Sequence, residues 1–109
     1  MNFTYMKQII NGKTYNTETA TRLYHVSASG CTVSDFQWWQ ETLYKTAKGA
    51  YFLHGQGGAL SKYSESFDGG GRTSGEKLEA LTRDEAIEWA ERRQIDPDQL
   101  PEDLQPEEA

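Results

Sequence analysis

The apolar positions of this chain change period along its length. Up to about residue 81 they come in short β-compatible bursts broken by turn residues; after Thr82 they recur at helical spacing. Lys7–Tyr15 (KQIINGKTY) places Asn11-Gly12 between two such bursts. This predicts a hairpin, because both central residues of a type I′ turn need positive φ. Thr19–Val26 (TATRLYHV) is rich in β-branched and aromatic residues and reads as a strand. Ser27–Ser34 reads as a loop. Phe36–Thr46 and Ala50–His54 flank Ala47-Lys48-Gly49 and predict a second hairpin, with helix as the competing assignment for Asp35–Leu43. Gly55–Gly75 holds seven of the ten glycines. Such a stretch is costly in entropy to order, so it is expected to be a long Gly-rich loop with one helical turn at Leu60–Ser64. Glu76–Leu81 is short and ambiguous, and is assigned to a final strand.

Thr82–Arg93 carries the clearest pattern. Thr82 and Glu85 have the spacing of a capping box, and Asp84 and Glu85 sit where the helix dipole favours negative charge. Ala86, Trp89, Ala90 and Arg93 share one stripe with Ile87 at its edge. Glu88 and Glu91 face away, and Glu88 is placed to pair with Arg92. Asp96-Pro97 can open a second short helix, which Pro101 and Pro106 keep short. The last segment, 101–109, reads as an acidic tail. The expected fold class is α+β: a small antiparallel sheet of hairpins packed against one C-terminal helix, in a single domain over 1–109. Met6 is a possible alternative start, which would make 1–5 a variable extension.

Composition narrows the class. Thirteen Phe, Trp and Tyr residues in 109 argue against a disordered chain. No apolar run approaches the length of a membrane span. The N-terminal stretch has no secretory h-region, and the single cysteine, Cys31, suits a reducing compartment. A cytoplasmic protein is expected. Trp38, Trp39, Tyr44, Tyr51 and Phe52 cluster on the second hairpin. A chain this small needs its aromatics inside, so they are expected to form the core under the helix with Trp89. Trp38 and Trp39 are adjacent and would point to opposite faces of a strand, leaving one of them covered by another element or exposed as an anchor.

Charge is unevenly divided. From Glu76 to Ala109 twelve carboxylates face four basic residues, a net of −8, whereas residues 1–75 are net +2. Such a surface repels nucleic acid and attracts basic partners, among them the Lys- and Arg-lined grooves of nucleic-acid machines. An acidic segment also serves solubility alone. The basic residues Lys7, Lys13, Lys45, Lys48, Lys62 and Arg72 are scattered, which disfavours direct nucleic-acid binding. Gly55–Lys62 fails the spacing of a phosphate-binding P-loop. His25, Cys31, Asp35 and His54 lie in separate segments without a nucleophile signature, and no metal-ligand spacing is present. No catalytic residue, cofactor or metal is therefore assigned.

Three stretches carry a resemblance: KQIINGKTYNTETAT, FQWWQETLYKTAKGAYFLHGQGGALSKY and GEKLEALTRDEAIEWAE. Over about Met6–Glu91 the chain is similar to a family of small proteins found on bacterial mobile elements and prophages. By size, acidity and setting it resembles the anti-CRISPR inhibitors among such proteins. The resemblance implies a non-enzymatic inhibitor that binds a protein partner with a basic surface, such as a CRISPR effector subunit of a type I complex, and blocks target DNA by mimicry or occlusion. The partner-binding residues would be Asp84, Glu85, Glu88, Glu91, Asp96 and Asp98. The alternative is a mobile-element accessory or adaptor protein that binds a different partner.

Overall fold

The structure, a computed structural model, describes residues 6–28, 30, 35–67 and 69–109. Of the sequence assignments, 1–5 and Cys31 lie outside the described residues. The fold is α+β. Asn11 and Gly12 take φ of 51° and 78° and close the hairpin between β1 (Lys7–Ile10) and β2 (Lys13–Asn16), as a type I′ turn requires. The main sheet follows, with β3 (Thr21–Ser27), β4 (Trp39–Lys45), β5 (Tyr51–Gly57) and β8 (Gly75–Leu81) antiparallel in the order β3-β4-β5-β8. A small hairpin of β6 (Glu65–Phe67) and β7 (Gly71–Thr73) precedes β8.

The helix α1 (Arg83–Arg92) begins with the predicted capping box: the Thr82 hydroxyl accepts from the Glu85 amide, and the Glu85 carboxylate accepts from the Thr82 amide. It ends where Gln94 turns to φ 54°. The Gln94 amide then donates to Glu91 O and the Ile95 amide to Ala90 O. This is a Schellman stop built on a non-glycine residue, which is why no glycine marked it in the sequence. Two 3-10 turns, Pro97–Gln99 and Glu102–Leu104, complete the regular structure among the described residues.

Each sheet face has its own core. On the α1 side Leu43, Tyr51 and Leu53 meet Ala86, Trp89, Ala90, Leu100 and Leu104. On the other side Phe52 and Leu78 meet Tyr15 of the N-terminal hairpin, with Tyr44 stacked on Phe52 at 5.1 Å. This corrects the expectation of one aromatic core beneath the helix. Tyr51 and Phe52 are neighbours on a strand and must point to opposite faces, so the second needs the β1–β2 hairpin as its own cover.

Three further expectations are corrected. The 55–75 segment is not one loop: β5 runs to Gly57, β6 and β7 form a hairpin around Gly69 and Gly70 at φ of 103° and 86°, and β8 starts at Gly75. The glycines there reflect tight turns and close packing rather than absent structure, and Leu60–Ser64 forms turns, not helix. The 101–109 stretch is not a free tail through its first half. Leu104 is 1% exposed, Asp103 binds Lys45 and the Tyr51 hydroxyl, and the Gln105 side chain donates through Nε2 to Pro97 O and Leu100 O. Finally, the Glu88–Arg92 ion pair is absent from those formed among the described residues. No helix among them is long and apolar enough to cross a membrane.

Leu104→Ala is expected to destabilise the protein by about 2–5 kcal/mol, the range for emptying a buried leucine site. Deletion of Glu107–Ala109 should leave the urea midpoint nearly unchanged. Equilibrium denaturation of both variants checks the boundary between packed chain and tail.

Candidate functional site

Strand alternation sends Trp39, Glu41 and Leu43 to the α1 side of β4. Glu41 therefore enters a core position, and its side chain is fully buried. An isolated carboxylate there would be costly to desolvate. Four donors meet it instead. On Oε1 it accepts from Trp89 Nε1 of α1 at 2.9 Å and from Nε of Arg93, the helix C-cap about one turn further on, at 2.7 Å. On Oε2 it accepts from the Tyr63 hydroxyl and from Lys62 Nζ, the latter at 2.8 Å. The Arg93 guanidinium also lies over the Trp39 ring, 4.1 Å from its centre.

Glycine makes this geometry possible. Glu41 pairs in register with Gly55, and a Cβ at Gly55 would stand 2.0 Å from Tyr63 Cζ. The bare backbone lets the Tyr63 ring lie across β5 and reach the carboxylate. At Gly57 a Cβ would stand 2.3 Å from Ser61 Oγ, so the turn carrying Lys62 and Tyr63 closes down on the same strand. Ser61 holds that turn by donating to Gly58 O at 2.8 Å and accepting from the Tyr63 amide at 3.2 Å.

The chemistry of this cluster is fixed by its charges. Burial by itself raises the Glu41 pKa, but the hydrogen bonds from Arg93, Lys62, Tyr63 and Trp89 outweigh it and bring it down to about 2. Burial and the adjacent carboxylate push the Tyr63 phenol well above its usual range. Glu41 thus stays ionised and Tyr63 stays protonated at neutral pH. Neither is poised for proton transfer, which needs a pKa near the working pH. The cluster fastens helix, sheet and turn together. Beside it Gln37, Trp39, Leu60, Ser61, Lys62 and Arg93 line a cleft of about 320 Å³. Phe36 and Leu60 stand exposed at 70% and 63%, joined by the Leu60 amide donating to Phe36 O at 2.8 Å.

The six carboxylates expected to bind a partner are all exposed. Asp84, Glu88 and Glu91 fall on one outward stripe of α1 by their i, i+4, i+7 spacing. Glu85 lies to the side, committed to the capping box. Asp96 and Asp98 lie beyond the helix stop, where the Asp96 carboxylate accepts from the Asp98 amide at 3.0 Å. Two cations of the same third turn away from the stripe: Arg93 to Glu41, and Arg83 to Asp103 O and Gln105 O at 2.7 and 3.1 Å. His25 and His54 flank Thr42 on the opposite sheet face; His25 Nδ1 lies 2.8 Å from Thr42 Oγ1 and His54 Nε2 2.9 Å from Glu76 Oε2. Of the adjacent tryptophans, Trp39 is half-buried beneath Arg93, and Trp38 is half-buried along a cleft with Gln56, Glu65 and Glu76. Among the described residues no group of three His, Cys, Asp or Glu side chains is placed to hold a metal.

Glu41 escaped the sequence reading. The signal for it was a lone acid alternating with Trp39 and Leu43, opposite a strand whose same-face positions are Gly55 and Gly57. Comparison of the chain with protein-family models, with curated proteins and with solved structures finds no match in any of the three.

Glu41→Gln is expected to destabilise the fold by about 3–5 kcal/mol, since it leaves Arg93 and Lys62 without their counter-charge. Acid should reproduce part of that loss. The folded pKa of about 2 lies below the ordinary glutamate value of 4.5, so the stabilisation is complete above about pH 4.5 and is lost as pH falls toward 2. It amounts to about 3 kcal/mol. Urea denaturation of wild type and Glu41→Gln between pH 7 and about pH 2 should show the two curves converging in that window.

Proposed function

We propose that the protein is a non-enzymatic inhibitor that occupies the basic DNA-recognition surface of a CRISPR effector, a multi-subunit type I complex rather than a single-protein one. It keeps target DNA out by charge mimicry and steric occlusion. The observation that carries this reading is the segregation of charge on α1. The helix is fastened from behind through Trp89 and Arg93 to Glu41, and Arg83 is drawn to the chain after the helix. Asp84, Glu88 and Glu91 remain in line on the outer side, and none of them is in an ion pair among the described residues.

At a rise of 1.5 Å per residue the stripe is about 10 Å long. One DNA strand carries a phosphate about every 3.4 Å of axis, so three carboxylates over that length fall somewhat short of one strand's charge density. Asp96 and Asp98, just past the helix, add to the same acidic third. The field of such a surface raises encounter rates with a cationic groove by about 10- to 1,000-fold at low salt. Its rigidity limits the entropy lost when the carboxylates are held against Lys and Arg.

A second reading has its own observation. Phe36 and Leu60 are both exposed and linked through their backbones, and Leu60 lines a cleft with Trp39 and Arg93; exposed aromatic and Arg side chains are residue types that anchor protein interfaces. An adaptor binding through that patch would need no mimicry. The two readings differ in salt response, because an apolar contact is little screened whereas an exposed ionic one is.

The triple variant Asp84→Lys, Glu88→Lys, Glu91→Lys leaves the capping residue Glu85 in place and should fold. In a target-DNA binding assay with a type I effector, inhibition should weaken by about 10- to 1,000-fold, and wild-type inhibition should fall steeply with salt. Full inhibition by the folded triple variant would sink the mimicry. Loss of inhibition on Phe36→Ala with Leu60→Ala alone would favour the adaptor surface.

A further inference from the structure

The outer edge of β8 is the one long strand edge that the described fold leaves regular. The sheet order places β3 and β8 at its two margins. β3 has a register irregularity between Arg22 and Tyr24, a break of the kind that blunts an edge against further pairing. β8 has none: its seven residues Gly75–Leu81 pair continuously with β5, and it contains no proline. Charged side chains on an edge strand ordinarily discourage a second strand. Here Glu76, Lys77 and Glu79 are exposed, and the order of their signs decides what they discourage.

We propose that this edge pairs with the same edge of a second copy of the chain, antiparallel about a two-fold axis at Leu78, which joins two four-stranded sheets into one. A two-fold perpendicular to the sheet keeps each face on its own side, so a residue can stand opposite only those an even number of positions away. Centred on Leu78, it places Lys77 opposite the partner's Glu79 and Glu79 opposite the partner's Lys77. Gly75 then faces the partner's Leu81, and Glu76 the partner's Ala80. Leu78 is the midpoint of β8, so this register also overlaps all seven residues. The neighbouring allowed registers, centred on Lys77 or Glu79, set like charges directly opposite, which is unfavourable. The strand is therefore self-complementary in its full-length register and self-repelling in the two beside it.

Both side chains are available for this. Neither Lys77 nor Glu79 is in an ion pair among the described residues, and both lie on the α1 side of the sheet, opposite Gly55 and Leu53 of β5. A single strand edge is smaller than a standard stable interface, so the association is weak and concentration-dependent. The inference is independent of the inhibitor reading, because it concerns the chain alone.

The test is sedimentation equilibrium of the intact protein at low salt, from about 10 μM to about 1 mM, the range suited to an interface of this size. The apparent mass should rise from the monomer value of 12.4 kDa toward twice that. Lys77→Glu and Glu79→Lys each set like charges opposite one another at both ends of the two-fold, and each should weaken association at least about tenfold. The double variant K77E/E79K restores opposite pairing and should recover the dimer. Circular dichroism of each variant confirms that it is folded. A wild type that stays monomeric throughout overturns the proposal. So do single variants that dimerise like wild type, a folded double variant that does not recover, and growth into open chains rather than a closed dimer.

Discussion

Glu41 is where three parts of the chain that are far apart in sequence become one body. Its carboxylate takes hydrogen bonds from Trp89 and Arg93 of the helix and from the Lys62–Tyr63 turn, while its backbone belongs to a central strand. A buried carboxylate is a poor source of net stability, because desolvation offsets most of what the pairing returns. What it supplies is selection among arrangements. A one-residue slip of β4 would send Glu41 to the opposite face and bring Gln40 or Thr42 beneath the helix. A rotated α1 would bury Trp89 Nε1 and the Arg93 guanidinium without an acceptor. Each alternative leaves a polar group unpaired, and only the observed register and rotation satisfy all five side chains.

The same constraint explains the glycines of β5. A tyrosine that must cross a strand to reach a carboxylate needs a position without a side chain, and Gly55 supplies it directly opposite Glu41. Gly57 does the same for Ser61. The cost is a strand with little of its own to bury at that end. The returning turn covers it, so the cluster and the turn depend on each other. The other end of the sheet is secured differently, with Asp103 bridging Lys45 and Tyr51 and Leu104 filling the space beneath α1.

How far the fold was legible follows from the range of each signal. The Asn11-Gly12 turn, the strands around Gly49 and the capped helix are written in neighbouring residues, and local chemistry suffices to read them. The 55–75 segment misled because glycine marks both a loose chain and a close approach, and only the partner atom tells which. The acidic tail misled because Leu104 is one apolar residue among carboxylates, with no periodicity to announce it. Glu41 was invisible for a related reason: its donors come from the residues 62–63 and 89–93, and no window along the sequence contains them together. Of the candidate surface, the carboxylates themselves were legible. Which cations stay near them was not.

That last point links the interior to the exterior. The C-terminal third owns four cations, and if all four lay on the outer face of α1 they would largely cancel its carboxylates. Arg93 instead turns inward, because Glu41 offers it a buried partner and Trp39 a ring to lie on. Arg83 turns toward the backbone carbonyls of Asp103 and Gln105, which is possible only because that stretch is packed rather than free. Lys77 stays on the sheet edge, and Arg92 alone remains beside the outer stripe. The acidity of that face is thus a product of the fold as much as of composition: Arg93 is drawn toward the core and Arg83, still exposed, is turned toward the chain after the helix, and the carboxylates left behind set the sign of the outer face.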